Sequence, residues 1–262
     1  MDNFKVSAFR RTTEVPDLKM FEMHTQENYE IFCFLSGDAE YYVEGTIYPL
    51  EPGDILILKK AEAHSLLIKE CVPYERIVVH FSDSNILGSL SSEIIEFLDS
   101  RPLGKHNRYP AATFRNPHWM YLLNQISSTT CTARRTAYLN ALLWELYDAY
   151  PKLCNDREAT RESLSEVIQY INGHLTEDLS VPMLCDRFFV SKPQLNRKFK
   201  KTTGSSVWNY IVTKRLHLAK DLMRNGSPPS DACIKSGFKD YSSFYRTYRA
   251  HFGVSPKEDL RK

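Results

Sequence analysis

The chain has 262 residues, of which 42% are hydrophobic, and a formal charge of +2. That length and apolar content suit two folded domains and argue against a disordered or fibrous chain. No run of about eighteen apolar residues is present to span a bilayer, and MDNFKVSAFRR lacks the apolar core of a signal peptide, so a soluble cytoplasmic protein without a membrane partner is expected.

From about Lys19 to Ser82 the residues read as short strands. YEIFCFL, AEYYVEG, GTIYPL, DILILK, HSLLIK and RIVVHF are rich in β-branched and aromatic residues, and Ser36-Gly37-Asp38, Glu44-Gly45 and Glu51-Pro52-Gly53-Asp54 punctuate them. Many short strands at this spacing predict a sandwich or small barrel. From about Ile86 to Tyr150 the apolar period becomes helical: Ile94, Ile95, Phe97 and Leu98, then Leu122, Leu123 and Ile126, then Leu139, Leu142, Leu143, Leu146, Tyr147 and Tyr150. The last stripe serves either as core or as a dimer contact, and Tyr138, Tyr147 and Tyr150 tip the reading slightly toward the contact.

The polar stretch 151–161 contains a proline and breaks the helical pattern, so the domain boundary is expected there. The predicted domains are 1–155, with its helical segment from about 86, and 156–262. Charge divides at the same place. Residues 1–160 carry 16 Lys and Arg against 22 Asp and Glu, whereas residues 161–262 carry 18 against 10. A basic half beside an acidic one fits a polyanion-binding module joined to something else. The six cysteines, at 33, 71, 131, 154, 185 and 233, include no CxxC pair, so neither zinc nor disulfides are signalled and small buried hydrophobes are expected.

The basic half is helical. Leu164, Val167, Ile168, Ile171 and Leu175 mark one amphipathic helix. After it, one helical unit is written twice: Ser191, Leu195, Arg197, Phe199, Gly204 and Ser206 recur 49 positions on as Asp240, Phe244, Arg246, Tyr248, Gly253 and Ser255. In the first copy a short helix near Val181 to Phe188 precedes a second helix capped by Ser191, whose S-x-x-Q pattern with Gln194 is a capping box. Two helices joined by three or four residues predict a helix-turn-helix.

Because Leu195 and Phe199 must face inward, Pro193, Asn196, Arg197 and Lys200 face outward; in the second copy Phe244 and Tyr248 face inward and Ser242, Tyr245, Arg246 and Arg249 outward. Arginine and asparagine suit guanine and adenine edges. Lys192, Lys200, Lys201, Lys239 and Arg249 suit phosphates. With Gln194 and Tyr241, these outward residues are the candidate DNA contacts, although the capping box competes for Gln194. A linker helix from about Ser206 to Arg224 would hold the two recognition helices about one DNA turn apart. On that linker Arg215 and Lys214 are expected to brace the two subdomains.

Over these hundred residues, through LSVPMLCDRFFVSKPQLNRKFKKTTGSSVWNYIVTKRLHLAKDLM and KSGFKDYSSFYRTYRAHFGVSP, the chain resembles the AraC/XylS transcriptional regulators. The resemblance implies two helix-turn-helix units binding promoter DNA, usually as an activator, with a homodimer and RNA polymerase as partners. Pro228 and Pro229 stand where the family commonly has serine and isoleucine, so the support helix of the second unit is expected to start late, near Ser230, and to hold its recognition helix less firmly.

The segment HTQENYEIFCFLSGDAEYYVEGTIYPLEPGDILILKKAEAH is similar to the cupin barrel that many such regulators carry. Together these give an α+β chain: a cupin-like β-barrel with a helical dimerisation segment, then an all-α domain of two helix-turn-helix units and a linker helix. A metal cupin would use His24, Gln26, Glu30 and His64, but an amide is a poor transition-metal ligand, so no metal, no cofactor and no enzyme activity are expected. His24, Glu30, Phe32 and His64 are instead the candidate contacts for a small polar effector such as a sugar. A metal-dependent cupin enzyme fused to a DNA-binding domain and a regulator without a small effector are the alternatives.

Overall fold

Each of the six expected strand segments forms a strand, and two more strands join them. The computed structural model describes residues 5–16, 23–88, 91–114, 117–153 and 162–260. It divides into two units, 1–160 and 161–262. The expected boundary at 155/156, the onset of strands at Lys19 and Cys154 lie outside the described residues.

In the first unit, β1 (Ser7–Thr13), β2 (Tyr29–Ser36), β5 (Ile55–Leu58), β7 (Tyr74–Phe81) and β8 (Arg108–Tyr109) form an antiparallel sheet in the order β1-β7-β2-β5-β8. A second sheet runs β4-β3-β6, from β4 (Thr46–Pro49), β3 (Ala39–Val43) and β6 (His64–Ile68). The strand period of two sends alternate β2 side chains to opposite faces. Tyr29, Ile31 and Cys33 enter one core with the helices, while Phe32 and Phe34 enter another with Tyr41, Leu56, Leu66 and Val78. The larger sheet is therefore covered on both faces, by helices on one side and by residues of the smaller sheet on the other.

The helical layer is α1 (Ser91–Ser100), α2 (His118–Ser128) and α3 (Thr132–Leu153). Leu139, Leu142, Leu143 and Leu146 are at most 1% exposed and belong to the core beneath the sheet. Each such leucine contributes about 1.5–3 kcal/mol by leaving water, so this stripe is core and the dimer-contact reading of it is corrected. Helix α3 also continues through Pro151 to Leu153, beyond the expected interruption. The cysteines divide: Cys33 and Cys233 are buried and Cys185 half-buried, as expected of small hydrophobes, but Cys71 and Cys131 are exposed.

The second unit is helical: α4 (Glu162–Gly173), α5 (Val181–Arg187), α6 (Lys192–Thr203), α7 (Val207–Arg224), α8 (Pro229–Lys235), α9 (Tyr241–Phe252) and the short α10 (Pro256–Asp259). Leu164, Val167, Ile168 and Ile171 are buried along α4, at the helical spacing the sequence showed. Helix α7 spans 18 residues, about 27 Å at 1.5 Å each. Helix α8 starts at Pro229 and is seven residues long, as α5 is, so the late start expected at Ser230 is corrected by one residue. Proline is tolerated at the first helical position because that N–H has no helical partner.

Candidate DNA interface and effector pocket

Helix α6 begins with the expected capping box: Ser191 Oγ accepts from the Gln194 backbone N–H, and Gln194 Oε1 accepts from the Ser191 N–H at 3.3 Å. Gln194 Oε1 is thereby engaged in the cap. In the second copy, Asp240 accepts from the Ser243 N–H at 2.7 Å, a bond that holds its carboxyl below the ordinary carboxylate range. Both helices end at left-handed glycines, Gly204 and Gly253.

Leu195, Phe199, Phe244 and Tyr248 are buried. Lys192, Pro193, Gln194, Arg197 and Lys200 on the first copy, and Tyr241, Ser242, Arg246 and Arg249 on the second, are exposed; Asn196 and Tyr245 are half-buried. Phe199 meets Tyr210 of α7 edge-on, at a centroid distance of 5.5 Å. The Tyr248 hydroxyl donates to Asp259 at 2.5 Å, and the same carboxylate pairs with Lys220 at 2.8 Å, so α9 is pinned to α10 and α7 from below. With the buried side of each recognition helix fixed, its basic side is presented to solvent.

The linker and connecting loops hold the two hairpins together. Arg215 donates to the carbonyls of Leu175 and Glu177 at 2.8 and 2.7 Å, and Gly237 packs so closely that an added Cβ would lie 2.6 Å from the Leu175 oxygen. Arg215 is thus a brace. Lys214 is buried in the same helix. Lys239 pairs with Asp178 at 2.8 Å on the surface, so its ammonium already has a partner.

The two copies also differ in a way the sequence repeat concealed. Helices α5 and α8, and their matching bonds from Val190 to Cys185 and from Phe238 to Cys233, are related by 48 positions, whereas α6 and α9 are related by 49. The second connection is one residue longer. At its left-handed position it carries Gly237, where the first carries Phe189, at φ 52° and 95% exposed.

In the first unit a cavity of about 260 Å³ lies between the sheets, lined by Phe9, His24, Gln26, Glu30, Phe32, Tyr41, Leu66, Arg76, Val78 and His80. Strand register explains the lining. Phe9 and Phe32 flank Val78 across β1, β7 and β2; Glu30 lies opposite His80; Tyr41 lies opposite Leu66. Glu30 accepts from Gln26 at 2.9 Å and from Tyr41 at 3.2 Å, and pairs with His80 Nε2 at 2.8 Å. Burial raises the Glu30 pKa, but the His80 bond, the charges of His64 and His80 and the Gln26 amide prevail and hold it at about 2. It is ionised and surrounded by donors. Burial, reinforced by the Glu30 carboxylate, keeps the Tyr41 phenol protonated.

His24, Glu30 and Phe32 therefore line the cavity. His64 does not: it is fully buried, stacks parallel to Tyr41, meets His24 edge-on at 4.4 Å, and binds the Glu62 carbonyl through Nδ1. Burial, partly offset by Glu30, lowers its pKa to about 4, so it is a neutral wall residue. Among the described residues no three His, Cys, Asp or Glu side chains are grouped as metal ligands. Phe9, Tyr41, Leu66, Arg76, Val78 and His80 were missed by sequence reasoning. The in-phase alternation of β7, with Arg76, Val78 and His80 on one face, is the signal that could have found three of them.

A two-sheet unit with a cavity between its sheets, joined to a tandem pair of helix-turn-helix hairpins with exposed basic helices, defines a transcription regulator with a ligand-binding domain. The chain belongs to the AraC family: residues 9–170 match the AraC-like ligand binding domain, and residues 184–262 match a helix-turn-helix domain. It is 24% identical over 253 residues to the HTH-type transcriptional activator RhaS of Escherichia fergusonii, covering 91% of this chain and 87% of that protein. It is 23% identical to an uncharacterized HTH-type regulator of Staphylococcus aureus but spans 32% of that longer protein. Among solved structures, ToxT from Vibrio cholerae aligns over 98% of both chains at 18% identity, with a TM-score of 0.45. No helix among the described residues is long and apolar enough to cross a membrane.

Proposed function

We propose that this regulator is a cytoplasmic transcription activator whose two recognition helices read adjacent major grooves of promoter DNA, under control of a small molecule held between the sheets of its first unit. The observation that carries this reading is the pair of exposed arginines, Arg197 and Arg246, at equivalent positions on two capped helices whose opposite faces are buried. Asn196, Arg197, Tyr245 and Arg246 read base edges. Lys192, Lys200 and Arg249 contact phosphates, and Pro193, Gln194, Tyr241 and Ser242 line the approach. Activation is supported by the name of the RhaS relative, and it makes RNA polymerase a further partner.

The effector acts by binding one arrangement of the protein more tightly than another, which shifts DNA affinity by the same coupling. His24, Glu30 and Phe32 contact it from the cavity wall, and His64 fixes His24 and Tyr41 from behind. Two copies pair in this reading. Since the leucine stripe of α3 is core, the contact uses the outer side of that helix, where Ala137, Ala141 and Asp148 are exposed. Gel shift at fixed salt tests the DNA assignment: Arg197→Ala and Arg246→Ala each weaken specific binding by about 1–3 kcal/mol and relax base preference, whereas Lys200→Ala lowers affinity with little change of preference. Unaltered affinity in both arginine variants refutes it.

A further inference from the structure

The cavity between the sheets has a charged end that no carboxylate among the described residues neutralises. In the first unit Arg10 pairs with Glu75, Arg108 pairs with Asp54, and Arg135 donates to the carbonyls of Val6, Ile126 and Thr129. Arg76, which lines the cavity, has no carboxylate partner among the described residues; its guanidinium lies over the Tyr74 ring, 5.0 Å from the centroid. Directly opposite Arg76 in the β1–β7 register stands Arg11, on the same face of the sheet and likewise without a carboxylate partner among the described residues. Like charges placed opposite each other on a sheet repel, so this pair costs stability until an anion lies between them. The buried Tyr74 hydroxyl lies within reach of the same Arg76 guanidinium.

The rest of the cavity explains what is attached to that anion. Next along the strands comes the apolar row Phe9, Val78 and Phe32, faced by Leu66 and by Tyr41, whose ring is 4.7 Å from that of Phe32. Glu30 stands four residues along β2 from Phe34, the residue that pairs with Arg76, a backbone spacing of about 13 Å at 3.3 Å per residue. Both Glu30 oxygens are already bonded, to Tyr41, Gln26 and His80, and no ion pair joins Glu30 to Arg76 among the described residues.

We propose that the effector is a small organic carboxylate with an apolar, ring-bearing body: its carboxylate sits between Arg76 and Arg11, and its body lies along Phe9, Val78, Phe32 and Leu66. This rests on the reading of the cavity as the effector site and replaces a neutral sugar with an acid. A planar guanidinium suits the task because it meets a carboxylate with two parallel hydrogen bonds. At about 260 Å³ the cavity is below the range for drug-sized ligands, which limits the body to about one ring and a short chain.

The test is calorimetry and thermal shift on the full chain with phenylacetate and phenylpropanoate, their primary amides, and a set of free pentoses and hexoses. The acids are expected to bind at least about tenfold more tightly than the amides, and Arg76→Met to remove that preference. Arg11→Met, at an exposed position that cannot be needed for folding of the core, is expected to weaken the acids several-fold and leave the amides unchanged. Equal binding of acids and amides, or binding of sugars alone, overturns the carboxylate assignment while the effector site stands. Acid binding that survives both arginine variants overturns the placement. No binding by any of the three classes overturns the effector reading together with it.

Discussion

His64 illustrates how one residue's environment reaches the behaviour of a domain. Its imidazole is enclosed by Tyr41 and His24, feels the carboxylates of Glu30 and Glu44, and binds the Glu62 carbonyl, yet burial dominates and lowers its pKa from 6.5 to about 4. As pH falls below about 6.5 the unfolded chain takes up a proton that the folded chain refuses, so stability declines from there until about pH 4 and no further on this account. Urea melts of the first unit's transition between these limits are expected to show that slope, and His64→Gln is expected to flatten it. An unchanged slope means that the imidazole titrates freely and that its burial is misjudged. Histidine at 64 was legible in the sequence as a cavity candidate, but its place behind Tyr41 was not, because a β-strand pattern gives the face and not the depth. Arg76 and His80 were hidden for a different reason: they lie about forty or more residues from β2 in sequence and are brought to the cavity beside it only by the β2–β7 register, His80 opposite Glu30 and Arg76 opposite Phe34.

Elements whose stability comes from an amphipathic face were legible throughout. The capping box of α6, the glycine ends of both recognition helices and the buried pairs Leu195–Phe199 and Phe244–Tyr248 all follow from residue type and period. Strand β1 was not legible. SAFRRTT pairs with β7 alone and leaves most of its side chains in solvent, so it lacks the apolar alternation that marks a half-buried strand. The extra residue between α8 and α9 was hidden by the better-matched stretch that follows it.

That difference gives two predictions. Phe189 holds a left-handed backbone while its ring contacts solvent, so Phe189→Gly should raise the thermal stability of the DNA-binding unit by about 0.5–1 kcal/mol. Gly237→Ala should lower it by more than about 1 kcal/mol, since the new Cβ meets the Leu175 carbonyl and the Arg215 Nε at 2.6 and 2.9 Å at a φ of 90°. Scanning calorimetry reads both, and a destabilised Phe189 variant would mean that the ring is held by something in the folded protein.

For the whole molecule, the charge asymmetry of the sequence becomes a division of labour between an acidic sensor unit and a basic reading unit. The class of fold, the tandem hairpins and the family were all legible. The chemistry of the effector site was not, because strands remote in sequence build it.

The central claim is that two unequal helices each read their own half of one site, and selection of binding sites from random DNA measures this directly. The wild type should select a bipartite site with halves about 10–10.5 base pairs apart, centre to centre. Arg197→Ala should lose preference in one half and Arg246→Ala in the other. If both variants select the same site as the wild type, or both lose the same half, the two helices do not divide the reading as proposed.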